Sequence, residues 1–201
     1  MELISDNMPL VVLVGAPGVG KSTVQNVSLE QLQTVKPIKV AVFGDYMFEM
    51  ARKAKLVENR DEMRSKIPRD KYRELQMKAA EQIARDAKDR SVIVNTHLSM
   101  VTSFGLIPGM PLEILKMLAP KIIVVIEADP SEIAIRQKED KARERSDFGD
   151  AEKLREFQNY SRSCAAAYSV IQNVPVKIII NRQGRIRDAA AELTEVLKNV
   201  F

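Results

Sequence analysis

Apolar residues fall into two patterns along this 201-residue chain. Five short runs are almost wholly apolar and rich in β-branched side chains: LVVLV at 10–14, IKVAVF at 38–43, SVIVN at 91–95, KIIVVIEA at 121–128 and VKIIIN at 176–181. Most lack the polar alternation of a half-wetted sheet, which predicts strands covered on both faces of a parallel sheet. The segments between them have helical spacing. Residues 22–34 and 68–89 fill two of the gaps, and Pro68 suits the first turn of the second. Within 150–172, Leu154, Phe157, Cys164, Tyr168 and Ile171 recur at helical spacing, as Ile186, Ala189, Leu193, Val196 and Val200 do at the end of the chain. Strand alternating with helix predicts a layered α/β fold with right-handed crossovers.

Two stretches break the alternation. A charged helical excursion occupies 44–67, and RQKEDKARERSD occupies 136–147, between the fourth and fifth strands. Insertions above a parallel sheet lie where ligands bind. SFGLIPGMP at 103–111 carries two glycines and two prolines and reads as a rigid loop. With no repeat, low-complexity tract or linker, one domain is expected.

The first strand runs directly into GAPGVGKST, residues 15–23. Gly15, Gly20, Lys21 and Ser22 match G-x-x-x-x-G-K-[ST], with Ala16, Pro17, Gly18 and Val19 between and Thr23 after. Glycines allow a tight turn that brings backbone N–H groups against phosphate oxygens, and the positive end of the following helix faces the anion. Lys21 can reach the β- and γ-phosphates, and the Ser22 hydroxyl can ligate Mg²⁺. Strand before and helix after complete the context for nucleoside triphosphate binding. The loop does not choose among reactions. No N-K-x-D motif for reading guanine is present.

Composition narrows the field. Net charge is +4, from 31 basic and 27 acidic residues without a basic tail, which suits a polyphosphate site. Aromatics are 5%, with no Trp, which argues against nucleic-acid stacking platforms. A single cysteine, Cys164, and a single histidine, His97, exclude an internal disulfide and a Cys/His zinc site. No apolar run is long enough to cross a bilayer, and MELISDNMPLVVLV has no basic residue ahead of its apolar run, so no membrane and a cytoplasmic location are expected.

Beyond GAPGVGKST, the blocks FGDYMFEMA at 43–51, LVENRDEMR at 56–64, VIVNTH at 92–97, Arg136 with Arg143 and Arg145, and CAAAYSVI at 164–171 make the chain resemble the archaeal-type adenylate kinases over nearly its whole length. The resemblance implies reversible phosphoryl transfer from ATP to AMP, giving two ADP, with Mg²⁺. It implies a three-layer P-loop NTPase fold with a five-stranded parallel sheet flanked by helices, a helical NMP-binding excursion at 44–67 and a short zinc-free lid at 136–148, on a core of 1–43, 68–135 and 149–201. It also implies a homo-oligomer, several members of the family being trimers. An ATPase that regulates or assembles a partner, or a kinase for another nucleoside monophosphate, stays open as an alternative.

On the same resemblance Arg136, Arg143 and Arg145 clamp phosphate, and Arg162 on the next helix could close the ring; guanidinium forks suit charge spread over a transferred phosphoryl group. The neighbouring Lys138, Glu139, Lys141 and Glu144 read as a solvated face. Gly44 and Asp45 are expected to end the second strand; the carboxylate could accept from AMP or cap the next helix. Arg60 and Arg64, four apart and on one face if helical, would hold the AMP phosphate or join a surface network. Asn95, Thr96 and His97 stand where the family reads Asp-Thr-His. Asn95 keeps an oxygen toward a water-bound Mg²⁺ but loses the charge, and Glu127 or Asp129 could compensate or merely cap the helix at Pro130. Thr96 and His97 would touch AMP, or His97 would only brace the loop. Met100, Met110 and Met117 are interface or core, and Asn181 to Gly184 would border the donor adenine.

Overall fold

The structure is a computed structural model describing residues 8–32, 37–60, 62–102, 104–139 and 150–201. The elements in chain order are β1 (Leu10–Gly15), α1 (Lys21–Gln31), β2 (Ile38–Val42), α2 (Phe43–Lys53), α3 (Glu62–Lys66), α4 (Arg69–Asp86), β3 (Ser91–Asn95), β4 (Ser99–Thr102), β5 (Gly105–Pro108), α5 (Leu112–Leu118), β6 (Ile122–Glu127), α6 (Pro130–Glu139), α7 (Ala151–Gln172), β7 (Val176–Ile180) and α8 (Ile186–Val200). Five strands form one sheet in the order β2-β3-β1-β6-β7, every pair parallel. This is the layered α/β architecture that the strand–helix alternation predicts.

Burial on both faces explains why the central strands read as unbroken apolar runs. In β1, Leu10, Val12 and Val14 enter one core, with Ile83 of α4 and Leu115 of α5. Val11 and Leu13 enter the other, with Val24 of α1, Ile133 of α6 and Leu193 of α8. The expectation of two covered faces fails at the edge strand β7, where Lys177 and Ile178 are exposed. An edge strand has one neighbour, and its outer side is open to water.

Several boundaries differ from the sequence reading. Helix α1 ends at Gln31 rather than 34. β2 stops at Val42, and α2 starts at Phe43, so Gly44 and Asp45 lie in a helical first turn and not at a strand end. The segment 103–111 is not a plain loop: Gly105–Pro108 pairs antiparallel with Ser99–Thr102. Pro108 is tolerated because it lies at the end of a two-stranded ribbon, where one missing N–H breaks no inner ladder. Gly105, at φ 110°, opens the turn, and Phe104 at the tip is 99% exposed. Met110 is buried in the first core. Ile171 is exposed despite its helical spacing. Asp129 accepts hydrogen bonds from the backbone N–H (2.8 Å) and hydroxyl of Ser131, the capping alternative for that residue.

Candidate active site

The carboxyl ends of β1, β3, β6 and β7 meet at the glycine loop. Gly15 has no room for a side chain, because a Cβ there would lie 2.5 Å from the Ile126 carbonyl oxygen on the neighbouring strand. Gly18 and Gly20 have φ of 83° and 86°, the left-handed region that glycine enters without strain. Helix α1 starts at Lys21 with no side-chain cap and no acidic residue in its first turn. Its first N–H groups and positive end are therefore left for an anion.

The Lys21 side chain lies along this loop, 8% exposed, with Nζ donating to the Thr96 carbonyl at 2.8 Å. Burial, and then the positive charge of Arg60, push its pKa down from 10.5 to about 7. A buried cation with one carbonyl partner is poised for an incoming anion. Arg60, from the excursion, thus acts through its charge on the loop lysine. It is ion-paired with Asp45, and it passes so close to Gly44 that a Cβ there would overlap Arg60 Nη2. Arg60 precedes α3, so the expectation that Arg60 and Arg64 share a helical face does not hold; Arg64 is in α3, and its side chain lies outside the described part.

Asn95 is buried at the end of β3, and its Nδ2 donates to Gln25 Oε1 at 3.1 Å. His97 sets Nδ1 3.1 Å from the Gly15 carbonyl oxygen, which favours bracing of the loop among its two readings. On the other side, Arg162 forms a two-pronged pair with the buried Glu127, at 2.7 and 2.5 Å. Glu127 therefore orients an arginine. Arg136 lies in the last turn of α6 and donates to Gln183 Oε1 (2.6 and 3.1 Å), Glu132 (3.1 Å) and the Val19 carbonyl (3.5 Å). Arg143 and Arg145 lie outside the described residues. Beside Arg162 a cleft of about 630 Å³ opens between the ends of β6 and β7, with Gln158, Asn159, Arg182 and Gln183 in its wall.

Residues 14–155 match a family model described as an AAA domain. The chain is 43% identical over 192 residues to an adenylate kinase from Pyrococcus horikoshii, covering 94% of this chain and 96% of that one. It is 38% identical over 192 residues to an adenylate kinase from Methanopyrus kandleri (95% and 98% covered) and 40% identical over 190 residues to one from Methanocaldococcus jannaschii (94% and 98%). The chain belongs to the adenylate kinases, within the AAA-domain family. It is a phosphotransferase, a nucleoside monophosphate kinase. The fold is shared with a shikimate kinase from Bacteroides thetaiotaomicron at a TM-score of 0.61 and 17% identity, covering 95% of this chain and 99% of that one.

Adenylate kinases imply a magnesium ion, and the residues present fit one held mainly by phosphate and water. Among the described residues no group of three His, Cys, Asp or Glu side chains could hold a metal. The exposed Ser22 hydroxyl is a hard oxygen donor at the loop. With Asn95 Nδ2 committed to Gln25, the Asn95 amide oxygen is the group left to accept from a metal-bound water. Mg²⁺ keeps several waters and needs few protein ligands.

Two helpers were not legible in the sequence. Gln137 (Nε2 to the Pro17 carbonyl, 2.6 Å) and Asn181 (Nδ2 to the Val19 carbonyl, 2.8 Å) both hold the loop. Glutamine in a charged helix carries no signal for such a role, and the sequence reading puts Asn181 beside the donor adenine rather than on the loop.

Proposed function

We propose that this chain moves the γ-phosphoryl group of ATP reversibly to AMP, with the donor triphosphate in the glycine loop and AMP on the Gly44, Asp45 and Arg60 side. The observation that carries this reading is the glycine loop with Lys21 buried against the Thr96 carbonyl, in a chain 38–43% identical to adenylate kinases over nearly its whole length; Arg60 of the excursion adds positive charge that acts on Lys21. A site for two phosphorylated substrates needs positive charge facing the transferred group from both sides.

No nucleophilic side chain is required. An ionised AMP phosphate oxygen forms the new P–O bond as the bond between the γ-phosphorus and the β,γ-bridging oxygen breaks; ADP leaves as the second product. The protein aligns the two phosphates, offsets charge and excludes water. Lys21 moves from the Thr96 carbonyl to the donor phosphates, and Arg162, oriented by Glu127, faces the transferred group. Arg136 stays with the donor side of the loop, while Arg143 and Arg145 follow it along the chain as the remaining clamps. Ser22, and Asn95 through water, would hold a Mg²⁺, which would supply charge neutralisation for the donor phosphates. Thr96 borders AMP, His97 braces the glycine loop, and the cleft near Gln183 accepts the donor base. A coupled assay with ATP and each nucleoside monophosphate tests the reading: the highest kcat/KM is expected with AMP, and no ADP above background with ATP plus AMP would sink it.

Gly44→Ala is expected to raise the KM for AMP about tenfold and leave that for ATP unchanged. The added methyl displaces only the mobile end of Arg60, so the melting temperature should hold; one charge-assisted hydrogen bond is the scale of the loss. Equal rises in both KM values would refute the assignment of Arg60.

Self-association belongs to the same reading. Phe104, Ile107 and Leu112 are exposed on the β4–β5 hairpin and α5, which supports self-association through this side, with the family resemblance pointing to three chains. Sedimentation is expected to return three chains; a single-chain mass at micromolar concentration overturns it. A cytoplasmic location completes it, in keeping with one buried cysteine and with no membrane-length apolar helix among the described residues; cell fractionation tests this.

A further inference from the structure

A loop whose N–H groups converge on an anion must turn its carbonyls outward, and those carbonyls need donors elsewhere. Here the donors come from separate parts of the chain. Gln137 Nε2 donates to the Pro17 carbonyl, and Asn181 Nδ2 and Arg136 Nη1 reach the Val19 carbonyl. Within the loop, Val19 N–H closes back on the Ala16 carbonyl at 3.2 Å.

Gln137 stands apart in this set. It is 8% exposed, and its Oε1 is buried without a hydrogen-bond partner among the described residues. The orientation of the amide follows from chemistry: the Pro17 carbonyl can only accept, so the nitrogen faces it. The side chain also lies flat on the turn, since a Cβ on Gly18 would stand 2.9 Å from Gln137 Cγ. A buried acceptor with no partner costs stability, and a methionine of the same length would pack there without that cost. The compensating gain has to lie in the one bond the amide makes, which is to the crown of the phosphate loop.

We propose that Gln137 is a positioning residue for the donor phosphates: it holds the Pro17 carbonyl outward, fixes the left-handed turn at Gly18, and so aims the loop's N–H groups at the triphosphate. It acts on the donor half alone, because AMP lies on the opposite side of Lys21. This rests on the two-substrate reading above, so binding is measured separately from turnover.

The test uses Gln137→Met, which keeps length and loses the donor, and Gln137→Asn, which keeps the amide but falls one methylene short of Pro17. ATP and AMP are each titrated calorimetrically into the parent and both variants, and melting temperatures are recorded. For both variants the Kd for ATP is expected to rise about tenfold, the scale of one hydrogen bond that orders a binding loop. The Kd for AMP should stay within about twofold, and Gln137→Met should melt no lower than the parent. An unchanged Kd for ATP in either folded variant, or equal losses for ATP and AMP, overturns the role. Titration of ATP reports on Gln137 whether or not the parent transfers phosphate to AMP, so loss of one conclusion is distinguishable from loss of the other.

Discussion

Lys21→Met is expected to lower phosphoryl transfer by at least about a thousandfold while making the protein more stable at pH 7. The first effect follows from removing the buried cation that faces the donor phosphates, a loss of the size seen when a preorganised charge-stabilising donor is deleted. The second follows from its pKa. The lysine binds a proton at 10.5 when unfolded and at about 7 in the folded chain. Between those values the unfolded state holds more protons, so stability rises with pH across that window. At and below pH 7 the folded chain bears the full penalty, on the order of 5 kcal/mol before relaxation reduces it. Methionine removes the penalty and gives up one hydrogen bond to Thr96. Thermal melts of parent and variant should therefore differ most near pH 6–7 and converge toward pH 10. A variant less stable than the parent at pH 7, or one that keeps more than a tenth of the parent's turnover, contradicts the assignment. Added ATP should raise the parent's melting temperature far more than the variant's, since a bound triphosphate supplies the negative charge that the lysine lacks in the free protein.

Removing Arg162 should separate its two jobs. Its guanidinium is half exposed, yet it holds the buried Glu127 carboxylate with two hydrogen bonds. Arg162→Met is expected to cut kcat about a hundredfold or more, because a cation facing the transferred phosphoryl group is lost. It should also destabilise the fold by about 2 kcal/mol, less than for a fully buried pair, by stranding a carboxylate away from water. The double variant Glu127→Gln with Arg162→Met should regain most of that stability and none of the turnover. Recovery of turnover in the double variant would mean that Arg162 acts only as a partner for Glu127.

The two cases show how unevenly the site was legible. Lys21 and Ser22 could be found from nine residues, because the phosphate loop is a local device: strand, glycines and helix start do their work within one turn of chain. Arg162 could be ranked as a candidate only through the family's motifs, and its partner Glu127, 35 residues earlier, was read as a possible aid to the metal. Gly44 and Asp45 were placed at a strand end because the apolar run extends through Phe43; helix formation instead buries Phe43 in the core from the first position of α2. The hairpin of β4 and β5 was hidden because its two strands are four residues each and the second begins with Gly105 and ends with Pro108.

What the sequence by itself determined is what short-range chemistry encodes: β-branched runs covered on two faces, helices with one apolar stripe, and a glycine loop between the first of each. The family's blocks then tied that frame to one reaction. Tertiary structure alone decided which strands became edges, that Arg60 reaches the field of Lys21, and that Gln137 meets Pro17 across 120 residues of chain. Such contacts depend on sheet order and on the crossing of helices over it. A polar side chain in a helix looks the same to its near neighbours whether it faces water or the outer carbonyls of a phosphate loop.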